Sequence, residues 1–227
     1  MAFQRRAMSA AQKQTRRGAI LAAAARIFAE RDYGAITMAE VADAAHVVKG
    51  TLYLYFPSKE ALFLALLGEQ LDEWFAVMRA GLTSIAPDGA AIERVVALFD
   101  ATLAERPTLT RLTAILYSIL EHNIAFATAR AFKQRLREQL QVTGVCLERV
   151  LPFLTTLGGG MEVLLQCHVL VVGIRSMADP TPVVREVIQS PDLAIFAVDF
   201  RAYLMRMLRA LLWGMAVQAT DTNKGEQ

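Results

Sequence analysis

Residues 36–66 read ITMAEVADAAHVVKGTLYLYFPSKEALFLAL, and the punctuation inside this stretch decides how the chain is organised. Thr37 precedes Glu40 by three residues, the spacing at which a hydroxyl accepts a helix amide while the carboxylate returns to the cap's own amide. That capping box predicts a short helix opening at Met38, with Val41, Ala42 and Ala45 turned inward. A turn at His46 and Val47 leads to a second short helix, about Val48 to Phe56. Pro57 closes it, because the residue before a proline is pushed out of the α region. Ser58 then caps a third helix and places Glu60 in its first turn. Two short helices across a tight turn make a helix-turn-helix when small and apolar residues meet where they cross. Counted from Met38, Ala42 falls fifth, at the crossing, His46 ninth, at the turn, and Leu52 fifteenth, inside. An ordinary helical hairpin fits the same pattern.

Outward from this stretch the chain stays helical. Ile20, Ala24, Ile27 and Phe28 repeat at i, i+4, i+7 and i+8, one face of a helix expected from near Thr15 to Tyr33 and Gly34. Residues 1–14 carry no sustained apolar period and are expected to form a flexible basic arm. Helices are expected over 58–84, 89–105, 107–123, 128–150, 160–178 and 192–218, with breaks at Pro87-Asp88-Gly89, Pro107, Pro152, Gly158-Gly159-Gly160, Pro180 to Pro182 and Pro191. No run alternates with period two. The fold expected is all-α with about nine helices, and the polar residues 219–227 are expected to be a disordered tail.

Composition narrows the function. The chain is 55% hydrophobic and 20% charged, enough for a sizeable core. Mean hydropathy is positive at +0.34, yet the longest runs without a charged residue, Val150 to Met161 and Val163 to Ile174, are 12 residues, short of the roughly 18 that a spanning helix needs. No membrane partner is expected. Residues 1–60 hold nine Lys/Arg against five Asp/Glu, so a net charge of +2 conceals a basic amino-terminal part suited to a polyanion. Cys146 and Cys167 are the only cysteines and lie in apolar runs, which suggests a reducing cytoplasm rather than a disulfide framework. Arg26 interrupts the Ala-rich run Ala19 to Ala29, against a signal sequence.

The segment K-G-T-L-Y-x-Y-F-P-S-K-E-A-L, within a match over residues 15–66, resembles the DNA-binding segment of the TetR/AcrR family of bacterial transcriptional regulators. The resemblance implies a DNA-binding domain over 15–57 and an effector-binding and dimerisation domain over 58–218. It further implies a cytoplasmic homodimer, joined by its last two long helices in a four-helix bundle, and a repressor released from a double-stranded operator by a small effector. An activator or a ligand-independent regulator fits the sequence too.

Roles can be assigned residue by residue. Lys49, Gly50 and Thr51 open the recognition helix, where a lysine reaches a base edge or phosphate and glycine lets a backbone approach. Thr37 pairs a hydroxyl with free helix amides, a phosphate seat. Tyr53 and Tyr55 offer phenolic donors, and Lys59 a backbone clamp, whereas Leu52 and Phe56 share a core face. Two residues depart from the family pattern. His46 stands where a glycine is usual, and Val48 stands where a serine or small residue is usual, which removes a side-chain cap from the recognition helix.

Nothing looks catalytic. His122 and His168 are isolated, Cys167 and His168 diverge on a helix, and no paired carboxylates or metal-ligand spacing occur, so no catalytic residue, metal or cofactor is expected. An all-helical enzyme or lipid-handling protein is the rival from another class. Glu121-His122-Asn123 reads as a helix end, or else as a ligand-orienting group. The glycine triplet lacks the Lys-Ser/Thr of a phosphate loop. Trp74, Met78, Phe99, Leu103, Leu116, Tyr117, Phe126 and His168, together with Phe75, Phe132, Leu165 and Val169, could line an apolar effector cavity, although core packing explains such residues equally well.

Overall fold

The computed structural model describes residues 9–156 and 159–225, and among these no strand occurs. Helix α1 (Ala10–Glu30) starts five residues earlier than the apolar period suggests, because Ser9 and Gln12 form a capping box of their own. Residues 10–14 are therefore helical, and the arm expected before them lies outside the described residues. A 3₁₀ turn (Tyr33–Ala35) leads to α2 (Met38–Ala44), with the Thr37/Glu40 box as read, and then to α3 (Lys49–Tyr55). His46 takes a φ of +53° in the intervening turn, the left-handed conformation a glycine would adopt without strain. Helix α4 (Lys59–Thr83) opens on Ser58, whose hydroxyl accepts the Ala61 amide at 3.1 Å.

Beyond α4 the helices stack into a bundle: α5 (Ala91–Ala104), α6 (Pro107–Ala114), a π turn (Leu116–Leu120), α7 (Phe126–Val150), a 3₁₀ turn (Pro152–Thr156), α8 (Gly159–Ala178), α9 (Pro182–Val187), a 3₁₀ turn (Pro191–Phe196) and α10 (Phe200–Gly225). The single helix expected over 107–123 is broken at Ile115, and Asn123, at φ +52°, ends the stretch. Helix α10 begins at Phe200 rather than Asp192. Its cap is Asp199, which accepts the Ala202 amide at 2.7 Å, and the helix continues through residues 219–225, where disorder was expected. Gly158 and residues 226–227 lie outside the described residues. Among the described residues nine helices have seven or more residues, in agreement with the all-α expectation of about nine.

Helix α4 runs through both halves. Leu62 and Phe63 near its start pack with Ile20, Phe28, Val41 and Leu52 of the first three helices, while Trp74, Phe75 and Met78 pack into the bundle. Helix α8 is long and apolar enough to cross a membrane by length and composition, with a mean hydropathy of 1.4, but here it lies against α6, α7 and α10. Where α7 meets α8 the backbones touch: a Cβ at Gly144 would sit 2.6 Å from the Met161 amide nitrogen, and one at Gly160 would collide with the Gly144 carbonyl oxygen. By contrast Gly18, inside α1, has open space where a Cβ would go. Gly144→Ala should therefore lower the unfolding free energy by about 3 kcal/mol, and Gly18→Ala raise it by about 1 kcal/mol, as read by denaturant titration.

Candidate nucleic-acid interface and effector cavity

Helix α3 divides by face. Leu52 is fully buried and Phe56 nearly so, the core assignment made from their spacing, while Lys49 and Gly50 are exposed and Tyr53 is 42% exposed. Leu54, which sequence reasoning passed over, is 86% exposed and shares a face with Gly50, four residues before it. Nothing lies within 4 Å of the place a Gly50 Cβ would occupy, so packing does not require a glycine there. Thr51 is half-buried, and Tyr55 packs at the edge of the core.

Thr37 lies exposed at the start of α2, its hydroxyl accepting the Glu40 amide at 3.3 Å and donating to the Glu40 carboxylate at 2.8 Å. Hydrogen bonds from Arg31 and Thr37 hold the Glu40 carboxyl down to about 2. The cap is consequently intact above the ordinary carboxylate range and fades as pH falls through about 2. Lys59, expected to clamp a phosphate, is partly buried. Its ammonium donates to the Tyr33 carbonyl oxygen and sits 3.9 Å from the Tyr33 ring centroid, and burial pushes its pKa below the usual lysine value. Tyr33 in turn donates to Glu60 at 3.0 Å, and burial, followed by that bond, raises its pKa. The missing cap at Val48 is visible as well, for α3 starts with no side-chain acceptor.

A second site lies inside the bundle. Trp74, Phe99, Leu103, Tyr117 and His168, all expected there, line one apolar cavity with Phe75 and Leu165. The remaining expectations do not. Met78 and Leu116 are sealed in the core, Phe132 packs on another recess, Phe126 is 80% exposed at the first turn of α7, and Val169 points outward. Sequence reasoning missed Thr110 and Thr113, whose hydroxyls bond back to Pro107 and Leu109 of their own helix and so leave methyl groups for the cavity. It also missed Leu136 and Leu140, four apart on α7, a spacing that could have found them. Only about 60 Å³ admits the centre of a water molecule, so an occupant has to push side chains apart.

Polar groups in the wall are few. Trp74 donates to the Thr102 hydroxyl at 3.1 Å. His168 meets Tyr117 edge-on at 5.5 Å, and its Nε2 is buried without a partner among the described residues. Burial, then the nearby Lys133 charge, lowers its pKa, so the ring is neutral at pH 7. Burial pushes the Cys167 thiol up to about 12, which makes it inert as a nucleophile. Glu121 pairs with Lys133 at 2.5 Å and His122 is exposed, the helix-end reading of that cluster. No group of acidic, histidine or cysteine side chains could hold a metal ion among the described residues.

Residues 20–66 match the family described as bacterial regulatory proteins, tetR family, and residues 68–219 match the tetracyclin repressor-like C-terminal domain. The chain belongs to the TetR family of DNA-binding transcriptional regulators. It is 37% identical over 107 residues to the transcriptional regulator RutR of Escherichia coli K12, covering 47% of this chain and 48% of RutR. It is 41% identical over 93 residues to the transcriptional repressor KstR2 of Mycobacterium tuberculosis H37Rv, covering 41% of this chain and 45% of KstR2. The matched stretch thus spans about half the length of these curated relatives. Among solved structures, Thermus thermophilus FadR in complex with lauroyl-CoA superimposes with a TM-score of 0.52 at 21% identity, covering 87% of this chain and 93% of that one, a likeness of fold. In this TetR-family chain, Val48→Ser should restore a cap to α3 and raise stability by about 1 kcal/mol in thermal melts.

Proposed function

We propose that this chain is a cytoplasmic homodimeric repressor that leaves its operator when a small apolar effector fills the bundle cavity. The observation that carries the reading is the division of α3, which buries Leu52 and turns Lys49, Gly50, Tyr53 and Leu54 to solvent. A major groove accepts such a face, with Lys49 and Thr51 near base edges, Leu54 against a thymine methyl, and Thr37, Tyr53 and Tyr55 on phosphates. Lys59 positions Tyr33 and the start of α4 instead of touching DNA. Gly50 has no packing reason to lack a side chain, which supports close approach by an outside partner.

Dimerisation finds support in the outer faces of α8 and α10. Met161, Leu165 at 43% exposure and Val169 at 62% form a stripe along α8, and Trp213 and Val217 extend an apolar face on α10. Bare apolar surface of this kind marks an interface. Two recognition helices are then available for half-sites roughly 34 to 36 Å apart. Release is supported by α6, whose Leu109, Thr110 and Thr113 line the cavity while Arg111 reaches the carbonyl end of α1. The named activity of KstR2 as a repressor, and the acyl ligand in the FadR structure, point the same way.

Gel shifts with the DNA flanking the gene test the reading, which fails if no salt-sensitive complex forms. Gly50→Ala should leave the melting temperature unchanged or higher yet weaken operator binding. Lys49→Ala should cost about 1 to 3 kcal/mol on the operator and alter sequence preference, whereas Tyr53→Phe should weaken operator and random duplex alike. Val169→Glu should yield a folded monomer in analytical ultracentrifugation, with operator affinity lost.

A further inference from the structure

The polar groups that line the apolar cavity are committed or wet, with one exception. The Trp74 indole donates to the Thr102 hydroxyl at 3.1 Å, and the Thr110 and Thr113 hydroxyls donate to carbonyls of their own helix. Tyr117 is 46% exposed, within reach of solvent. The Cys167 thiol, kept protonated by burial, is a weak donor. The exception is His168, whose Nε2 is buried and meets no partner among the described residues. A buried nitrogen left unpaired is costly, and a partner brought from outside would relieve that cost. Water serves it poorly, because a buried water needs two to four polar partners and this wall offers one.

The chemistry of the wall limits what that partner can be. No lysine, arginine, aspartate or glutamate lines the cavity among the described residues, and the nearby Lys133 and Glu121 are paired with each other at 2.5 Å. Burial and the Lys133 charge also keep the His168 ring neutral at pH 7. A charged occupant would lose its water and gain no counter-charge, so the fitting occupant is uncharged. A neutral imidazole has one donor and one acceptor nitrogen, and a hydroxyl can meet Nε2 in either role, whereas a carbonyl can only accept. Rings dominate the rest of the wall. The Trp74 ring centroid stands 4.8 Å from that of Phe75 and 5.8 Å from that of Phe99, and His168 meets Tyr117 edge-on. Such faces and edges favour a further ring. With about 60 Å³ open to the centre of a water molecule, a single ring displaces the wall less than a long chain would.

We propose that the cavity takes a small uncharged phenol, its ring among Trp74, Phe75 and Phe99 and its hydroxyl hydrogen-bonded to His168 Nε2. The inference rests on the reading of the cavity as an effector site, and the experiment separates the two. Calorimetric titration of the full chain at pH 7 compares 4-ethylphenol, ethylbenzene and 4-ethylbenzoate, which share a ring and differ in the group offered to His168. Wild-type protein should bind the phenol about fivefold or more tightly than ethylbenzene, the worth of a neutral hydrogen bond, and should bind the benzoate more weakly than the phenol by about tenfold or more. His168→Phe should reverse the order of the two neutral compounds, because the hydroxyl then enters a wall with no partner for it, and His168→Gln should keep part of the preference. Ethylbenzene or the benzoate bound by the wild type as tightly as the phenol would overturn the assignment alone, a comparison that needs no variant to fold. An unaltered preference in a folded His168→Phe protein would overturn it too. Phenol binding that leaves the operator complex intact in gel shifts would remove the effector reading and keep the phenol site. Failure of all three compounds to bind would remove both.

Discussion

The guanidinium of Arg111 closes the carbonyl end of α1, and the link between the two halves of the molecule depends on it. The last carbonyls of a helix need donors from outside the helix. The Arg31 amide takes the Ile27 carbonyl, and Arg111 reaches in from α6 to the Phe28 carbonyl at 2.7 Å and the Arg31 carbonyl at 3.0 Å. Its plane also lies 4.5 Å from the Phe28 ring centroid, against the core of the helix-turn-helix unit. The backbone of α4 makes a second link, and the Ser58 hydroxyl, donating to the Asn123 carbonyl at 3.3 Å, ties the head of α4 to the end of the π turn.

Helix α6 is therefore exposed to two demands at once. One side supplies wall to a cavity with little spare volume, and Arg111 is fixed to the reading unit. It is a helix of eight residues followed directly by a π turn, packed against α1, α4, α5 and α8, and π turns are frequent at functional sites. A ligand acts on such an element only through its difference in affinity for two arrangements.

The elements flanked by strong local chemistry were readable in the sequence. The capping box at Thr37, the proline after Phe56 and the cap at Ser58 fix α2, α3 and the head of α4, because each acts through residues no more than three or four apart. The left-handed turn at His46 was foreseeable for the same reason. The start of α1 was equally local, in Ser9 and Gln12, and was overlooked because polar residues follow it. The break at Ile115 and the displacement of α10 to Phe200 had weaker signals, since helical periodicity continues across both. The cavity was legible only in part. Apolar side chains on the middle helices look alike in sequence, and tertiary packing alone separates Trp74 and Phe99, which line the void, from Met78 and Leu116, which are sealed behind it. Lys59 shows the reverse limit, for nothing in its local pattern betrays the aromatic ring and carbonyl 26 residues earlier that hold it.

The contact between Gly144 and Gly160 has a mechanical consequence. With backbone against backbone and no side chain to compress, α7 and α8 cannot come closer at that point. The start of α8 is thereby a fixed point from which positions along that helix can be counted. Arg175 lies fifteen residues along, about 22 Å from that point at the rise of an α-helix. Cys167, in the cavity wall, lies about half as far out. The cavity wall and the tip of α8, beside the end of α1, therefore stand on one rod anchored where neither glycine tolerates a side chain.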